Sequence, residues 1–273
     1  MRLGIFAKTF PGSDPMTVLG GAQAAGFSSV QYNMACSGLA AMPDAIADSV
    51  AKAVAAAAQS HGVKVSAVSG TYNMIHPDPA VRATGLARLE VLAAACSAMG
   101  TGMVTLCTGT RDPHDQWRHH PDNGRPEAWR DLLVEMERAI AIAERHQVKL
   151  GIEPELANVV DSAAKAQLLI DTLQSDALAV VLDPANLFEK VSLEEQRHVV
   201  AAAIDLLGDR IVMGHAKDRT VDGDFATAGT GVLDYRHYVA RLRSVGFDGD
   251  LITHGLQADE AAGVAWFLEK MLA

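Results

Sequence analysis

The chain has 273 residues, of which 49% are hydrophobic and 21% are charged, so it can bury a large core and disorder is not expected. Its formal net charge is −10 and it has no cluster of Lys or Arg, which argues against nucleic-acid binding. No apolar run is long enough to cross a membrane, no signal peptide is evident, and the three cysteines form no Cys-x-x-Cys pair. These features predict a soluble, cytoplasmic protein without a thiolate metal site.

Short apolar runs alternate with longer segments of helical periodicity along the whole chain. The predicted strands are Leu3–Ala7, Ser28–Asn33, Val63–Val68, Met103–Cys107, Val148–Glu153, Val180–Asp183, Ile211–His215 and Leu251–His254. The predicted helices are Asp14–Ala25, Pro43–His61, Pro79–Met99, one opened by Pro126, Asp161–Gln174, one preceded by Ser192, Asp234–Ser244 and Ala258–Leu272. This alternation predicts a parallel sheet covered by helices.

Residues that start and stop helices support these boundaries. Pro126 suits a first helical position, and Ser192 with Glu195 forms a capping box. Five helices are followed closely by glycine, which is expected to adopt the left-handed conformation that ends a helix. The five glycines are Gly26, Gly62, Gly100, Gly208 and Gly246.

Eight strand–helix units in one chain of this length favour an α/β fold of the (β/α)8 TIM-barrel type, as a single domain over residues 1–273. The alternative is an open, doubly wound sheet that binds a dinucleotide. That fold needs a glycine fingerprint after the first strand, and the segment Ala7–Gly12 does not contain one.

Four of the later strands end on a residue that can bind a metal ion: Glu153, Asp183, His215 and His254. Barrel closure would bring these strand ends to one face, where carboxylate and imidazole groups suit Mn²⁺, Mg²⁺, Co²⁺ or Zn²⁺. Each residue alone also has a structural interpretation. Glu153 could cap a loop, Asp183 could form a turn, and His254 could be a hydrogen-bonded core histidine. Their recurrence at strand ends favours one divalent-metal site.

The loops that leave the strands are longer and more polar than those that enter them, as expected of the catalytic face of a barrel. The loop after the third strand contains Asn73 and His76. The loop after the fourth strand contains Trp117, whose ring could pack within the loop or cover a bound sugar, and packing is slightly favoured. The same loop contains the pair His119–His120, which is expected at the surface.

Several motifs resemble the xylose isomerase-like superfamily over essentially the whole chain. They are Gly151–Glu153, Leu182-Asp183, His215-Ala216-Lys217-Asp218 and Gly229–Tyr235. This superfamily includes tagatose 3-epimerase, hydroxypyruvate isomerase, inosose dehydratase and endonuclease IV. The resemblance implies a barrel that binds one divalent cation through Glu153, Asp183 and His215, and that acts on a small sugar. The chain departs from the usual pattern at His254, where the superfamily has a glutamate, and at Asn186, where many members have a histidine.

A metal-dependent sugar isomerase or epimerase is therefore the leading hypothesis, with proton abstraction next to a carbonyl. Glu153 would remove the proton, and His254 would either bind the metal or serve as a second acid or base. Lys217 or Arg219 would stabilise the developing oxyanion. The residues expected to bind substrate hydroxyls are Asn73, His76, Glu155 and Asn186.

Two other functions remain open from the sequence: an inosose dehydratase-like lyase using the same groups, and a degenerate barrel that binds a sugar or partner without turnover. The replacement of glutamate by His254 motivates the second. An endonuclease is disfavoured by Asn186 and by the acidic charge. Small-molecule sugar is the expected partner, without nucleic acid or membrane; self-association is possible, although no segment identifies an interface.

Overall fold

The computed structural model describes residues 1–273, and its eight parallel strands close into a barrel. The strands are β1 (Arg2–Phe6), β2 (Ser29–Tyr32), β3 (Lys64–Ser69), β4 (Met103–Cys107), β5 (Lys149–Glu153), β6 (Leu178–Leu182), β7 (Ile211–Ala216) and β8 (Asp250–Thr253). Closure is made by β1, which pairs with β8 through Ile5 and Thr253 and with β2 through Gly4 and Ser29. The predicted (β/α)8 TIM barrel is confirmed.

Eight helices surround the strands, one after each. They are α1 (Pro15–Ala24), α2 (Asp48–His61), α3 (Pro79–Met99), α4 (Pro126–His146), α5 (Ala163–Leu173), α6 (Leu193–Leu207), α7 (Tyr235–Ser244) and α8 (Ala261–Leu272). The predicted cap of α6 is present, since Ser192 Oγ accepts from Glu195 N at 3.2 Å. No helix is both long and apolar enough to cross a membrane.

Two local predictions are wrong. The segment before α2 is not helical from Pro43; the helix begins at Asp48. Gly208 has φ 12° and ψ −94°, outside the left-handed region, because the chain enters a single 3-10 turn (Gly208–Arg210) that leads directly into β7. The other four glycines do have positive φ, as in Gly62 at 63°.

Side chains fill the barrel interior beneath the carboxyl ends of the strands. Five residues contributed by β3, β4, β6, β7 and β8 form a buried cluster: Ala67, Met103, Val181, Met213 and Ile252. Such filling is the usual interior of a barrel of this size, which is a core and not a channel. Ligands must therefore bind above this cluster, where the strands end and the long loops begin.

Candidate metal centre

The four predicted metal ligands meet at the carboxyl ends of β5, β6, β7 and β8. Glu153 is the last residue of β5, Asp183 follows β6, His215 lies near the end of β7, and His254 follows β8. One ligand atom from each of the four lies within 4.8 Å of the others. The sequence prediction that these strand ends converge is therefore confirmed.

Asp183 is the most enclosed member of the cluster, with no exposed surface. Its Oδ1 accepts from Ala185 N at 2.9 Å, which fixes the carboxylate at the start of a 3-10 turn. Its Oδ2 therefore faces the cluster, 3.0 Å from His254 Nε2 and 3.5 Å from Lys217 Nζ. These contacts offset the cost of burying a charge.

His215 presents one ring nitrogen to the carboxylates and the other to a glutamine. Nδ1 lies 3.2 Å from Glu153 Oε1 and 4.0 Å from Asp183 Oδ2. Nε2 lies 2.9 Å from Gln31 Oε1, and Gln31 Nε2 in turn donates to Thr105 Oγ1 at 3.1 Å. Since the amide oxygen of Gln31, Oε1, can only accept, His215 carries a proton on Nε2. Nδ1 is then the nitrogen available to a metal. Sequence reasoning missed Gln31.

Glu153 uses its two carboxylate oxygens differently. Oε1 accepts from Asn186 Nδ2 at 2.9 Å and faces His215. Oε2 has only the Cys107 thiol nearby, at 3.9 Å from Sγ. Burial raises the pKa of Cys107 well above its ordinary value, so it remains a thiol. One oxygen of Glu153 is thus held by Asn186 and His215, while the other has only the weak thiol contact, and Glu153 lines the cavity described below.

The charges of the cluster shift the pKa values of its members. Burial by itself raises the pKa of Glu153, but the charges of His215 and His254 and the hydrogen bond to His215 outweigh it and lower that pKa. Burial likewise opposes ionisation of Asp183, yet Lys217 and His254 hold its pKa below the ordinary value. The pKa of His215 is raised because Glu153 and Asp183 outweigh burial, whereas burial and the His215 charge lower the pKa of His254.

The donor set fits a single divalent ion. Ligands on opposite sides of such an ion lie about 4.4 Å apart, given metal–ligand distances of about 2.0–2.2 Å, and the observed upper limit is 4.8 Å. Two carboxylates balance a charge of +2, and two neutral imidazoles complete the set. The hydrogen bond from His215 to Gln31 supplies the outer contact that metal-bound histidines usually make.

A cavity of about 480 Å³ opens above the cluster; we call it the inner cavity. Predicted substrate-binding residues Glu155, Asn186 and Lys217 line it. Lys217 Nζ donates to Asn186 Oδ1 at 3.2 Å. Burial, followed by the charge of Glu153, raises the pKa of Glu155 to about 7. This cavity joins the metal cluster to polar groups of both charges.

Three other predicted site residues do not line the inner cavity. Asn73 Oδ1 accepts from Thr110 N at 2.9 Å, and His76 Nε2 lies 3.1 Å from Pro113 O, so both tie the third-strand loop to the fourth-strand loop. Arg219 is 5% exposed, and its Nε donates to Ala185 O at 2.6 Å. The structure gives all three an alternative, loop-organising role.

The long loop after β4 also differs from expectation at one residue. Trp117 does not pack the loop: it is 55% exposed and lines the inner cavity. The packing prediction for Trp117 is wrong: its backbone N donates to Asp115 Oδ1 at 2.9 Å in a short turn, and the ring is left largely exposed beside the inner cavity. His119 is at the surface, as predicted.

Residues 20–269 match the family model described as a xylose isomerase-like TIM barrel. Among solved structures, 3-keto-D-glucoside 4-epimerase from E. coli has a TM-score of 0.78 at 15% identity, covering 99% of each chain. L-ribulose 3-epimerase has a TM-score of 0.78 at 18% identity over 99% of this chain and 94% of that one. The IolI protein, solved with a zinc atom, has a TM-score of 0.75 at 18% identity over 100% and 98%. Comparison with curated proteins found no match.

Proposed function

Since the chain belongs to the xylose isomerase-like TIM barrel family, we propose that it is a divalent-metal-dependent sugar isomerase or epimerase. The observation that carries this proposal is the buried cluster of Glu153, Asp183, His215 and His254 beneath a polar cavity. Structurally similar proteins include two sugar epimerases and one protein that holds zinc. They support a small sugar as substrate and a metal ion as cofactor.

The ion would be held by Glu153, Asp183, Nδ1 of His215 and Nε2 of His254. When bound, a divalent ion polarises a sugar carbonyl and makes the hydrogen on the neighbouring carbon more acidic. His254 then occupies the position where the family usually has a glutamate. An imidazole in that position keeps the number of ligands but removes one negative charge from the site.

Glu153 is the proposed base. Asn186 and His215 hold its Oε1, so Oε2 is the atom that removes a proton from the carbon next to the carbonyl. Its lowered pKa keeps the carboxylate ionised at neutral pH. A proton abstraction of this kind needs a base within hydrogen-bond reach of the substrate, and the inner cavity opens directly above Glu153.

Lys217 is the proposed stabiliser of the negative charge that develops on the substrate oxygen. It is 8% exposed and lies beside Asp183 and Asn186, so its ammonium group acts in a largely water-free environment. Glu155 and Asn186 are the proposed contacts for substrate hydroxyls. Arg219, Asn73 and His76 are not included, since they do not line the inner cavity.

The fate of the abstracted proton separates isomerisation from epimerisation. If Glu153 returns the proton to the former carbonyl carbon, while the hydroxyl proton moves to the former carbonyl oxygen, an aldose and a ketose interconvert. If His254 is not a ligand of the ion and instead delivers a proton to the carbon from which Glu153 removed one, from another side of the substrate, the configuration at that carbon inverts. Glu153 comes from the end of β5 and His254 follows β8, and these two strands are three positions apart around the barrel.

The test is an NMR screen of aldoses and ketoses in D₂O with metal-free and with metal-loaded protein. Zn²⁺ or Mg²⁺ replaces Mn²⁺ where the paramagnetism of Mn²⁺ broadens the sugar signals. We expect metal-dependent deuterium incorporation next to the carbonyl, with appearance of an isomer or epimer. Glu153→Gln should abolish it, and Glu137→Gln, an exposed change on α4, should leave it intact. Loss of water without isomer formation would indicate a lyase, and metal-loaded protein that binds sugar without exchange would indicate a degenerate barrel.

A further inference from the structure

We propose that the substrate is a sugar that carries a neutral glycosyl group, whose second ring occupies an outer cavity beside the inner one. This inference rests on the proposed function and adds the substrate class to it. The outer cavity has a volume of about 910 Å³ and lies between the loops after β4, β5 and β6 and a two-stranded ribbon, Asp218–Arg219 with Phe225–Ala226. This volume is large enough for a further sugar ring.

The two cavities adjoin. Trp117, Glu155 and Phe225 line both of them, and we call the boundary that these three side chains form the passage. A substrate bound with its carbonyl above the metal cluster would therefore project its far end past this passage. The combined cleft is larger than a single small sugar requires for burial.

Two exposed aromatic rings flank the passage. Trp117 is 55% exposed and Phe225 is 51% exposed, although rings of this size are usually buried. Two cationic groups contact the Phe225 ring: Lys217 Nζ lies 3.4 Å and Arg219 Cζ 4.2 Å from the ring centroid. Large apolar side chains left exposed beside a cavity are typical of a ligand-binding groove. Flat aromatic surfaces suit the apolar faces of a sugar ring.

The charges in the outer cavity favour a neutral group over a phosphate. Each of its three cationic side chains already has a partner. Arg118 pairs with Asp112 at 2.6 Å, Lys190 lies 3.7 Å from Asp222, and Arg219 donates to Ala185 O at 2.6 Å. Meanwhile the carboxylate of Glu189 also lines this cavity and would repel an anion. Carboxylates are suitable acceptors for sugar hydroxyls.

The test compares sugars that present the same carbonyl end but differ at the far end. Isothermal titration calorimetry of the Mn²⁺-loaded protein would use three free ketohexoses (D-fructose, D-tagatose and D-allulose), two keto-disaccharides (isomaltulose and lactulose) and D-fructose 6-phosphate. We expect at least one disaccharide to bind about tenfold or more tightly than every free ketohexose, and the phosphate ester to gain nothing. Trp117→Ala should reduce the disaccharide preference to about threefold or less. Trp266→Ala, at a 61% exposed position on α8, should leave the preference unchanged.

The outcomes separate this inference from the proposed function. Equal affinity for free and glycosylated ketoses would overturn the inference while leaving a keto-sugar site in place. Tighter binding of the phosphate ester than of either disaccharide would overturn it in favour of an anionic group. Failure of every sugar to bind protein that does hold Mn²⁺ would count against both. A disaccharide preference that survives Trp117→Ala would also contradict the assigned location of the second ring.

Discussion

Removal of the Gln31 side-chain amide should weaken metal binding although Gln31 is not one of the four proposed metal ligands. Gln31 is 7% exposed, and its Oε1 lies 2.9 Å from His215 Nε2. In Gln31→Leu, the Nε2 proton of His215 loses its acceptor and the Thr105 hydroxyl loses a donor. The imidazole can then rotate or move its proton to Nδ1, the nitrogen assigned to the metal.

The expected cost follows from this geometry. Loss of the partner that orients a metal-bound histidine typically lowers metal affinity about 10- to 100-fold, which corresponds to about 1.4–2.7 kcal/mol. The apoprotein should also lose about 1–3 kcal/mol of unfolding free energy for the unsatisfied buried group at His215. Gln31→Glu keeps an acceptor facing Nε2, so its metal affinity should remain within about threefold of the wild-type value.

The assay is a titration of apoprotein with Zn²⁺ or Mn²⁺ in competition with a chelator, together with urea unfolding of the same samples. The unfolding curve shows whether Gln31→Leu is still folded before metal is added. If folded Gln31→Leu binds metal as tightly as the wild-type protein, the assigned tautomer of His215 is refuted. If Gln31→Glu loses as much affinity as Gln31→Leu, acceptance of the Nε2 proton is not the relevant interaction.

Three further predictions concern pH, catalysis and loop stability. Burial opposes protonation of His215, but its carboxylate neighbours outweigh burial and raise its pKa. Protons therefore compete with the metal ion for His215 at acidic pH. The metal-induced rise in Tm should consequently be larger at about pH 7.5 than at about pH 5.5. Lys217→Met should lower the rate of metal-dependent deuterium exchange about 10²- to 10³-fold by removing the oxyanion partner. Asp218→Ala should lower the unfolding free energy by about 3 kcal/mol or more, measured in urea, because the Asp218 carboxylate accepts from four backbone N–H groups, including Leu233 N at 2.8 Å.

The pH prediction has a contradicting outcome, and the other two predictions each have a matched control variant. A metal-induced Tm shift that is equal at both pH values would contradict the raised pKa of His215. For catalysis, the matched change is Lys52→Met on the exposed side of α2, and a Lys217→Met rate within threefold of wild type would exclude the oxyanion role. For stability, the matched change is the exposed Asp222→Ala; if it destabilises as much as Asp218→Ala, the buried hydrogen bonds are not the cause.

The metal cluster could be predicted from the sequence because each of its members is recognisable from the residues directly before it. Each of Glu153, Asp183, His215 and His254 comes at the end of a short apolar run, and barrel closure places all strand ends on one face. Exact strand boundaries moved by one or two residues without affecting that conclusion. The fold was therefore sufficient to bring together residues that lie far apart in the chain.

Gln31 could not be identified in the same way. It lies inside β2 instead of at its end, and the pairing of β2 with β3 shifts register between Val30 and Gln31. Such a shift changes which side chains point inward, and simple alternation does not reveal it. An uncharged polar residue within an otherwise buried strand was the only available signal.

The loop residues show a second limit. Asn73 and His76 have suitable chemistry and follow a barrel strand, yet each is bound to a segment 37 residues away, at Thr110 and Pro113. The conformation of a long loop depends on such distant contacts, which no local pattern encodes. Trp117 was misassigned although its hydrogen bond to Asp115 is local, because that backbone contact does not determine whether the ring is buried.

Metal stoichiometry tests the central claim most directly. Purified protein would be stripped with chelator, dialysed against Mn²⁺ or Zn²⁺, desalted and subjected to elemental analysis beside Asp183→Ala and the exposed control Asp222→Ala. The structure predicts about one ion per chain in the wild-type and control proteins and a loss of that ion in folded Asp183→Ala. No retained ion in the wild-type protein, or an unchanged ion content in Asp183→Ala, would contradict the assignment of the Glu153, Asp183, His215 and His254 cluster as a metal site.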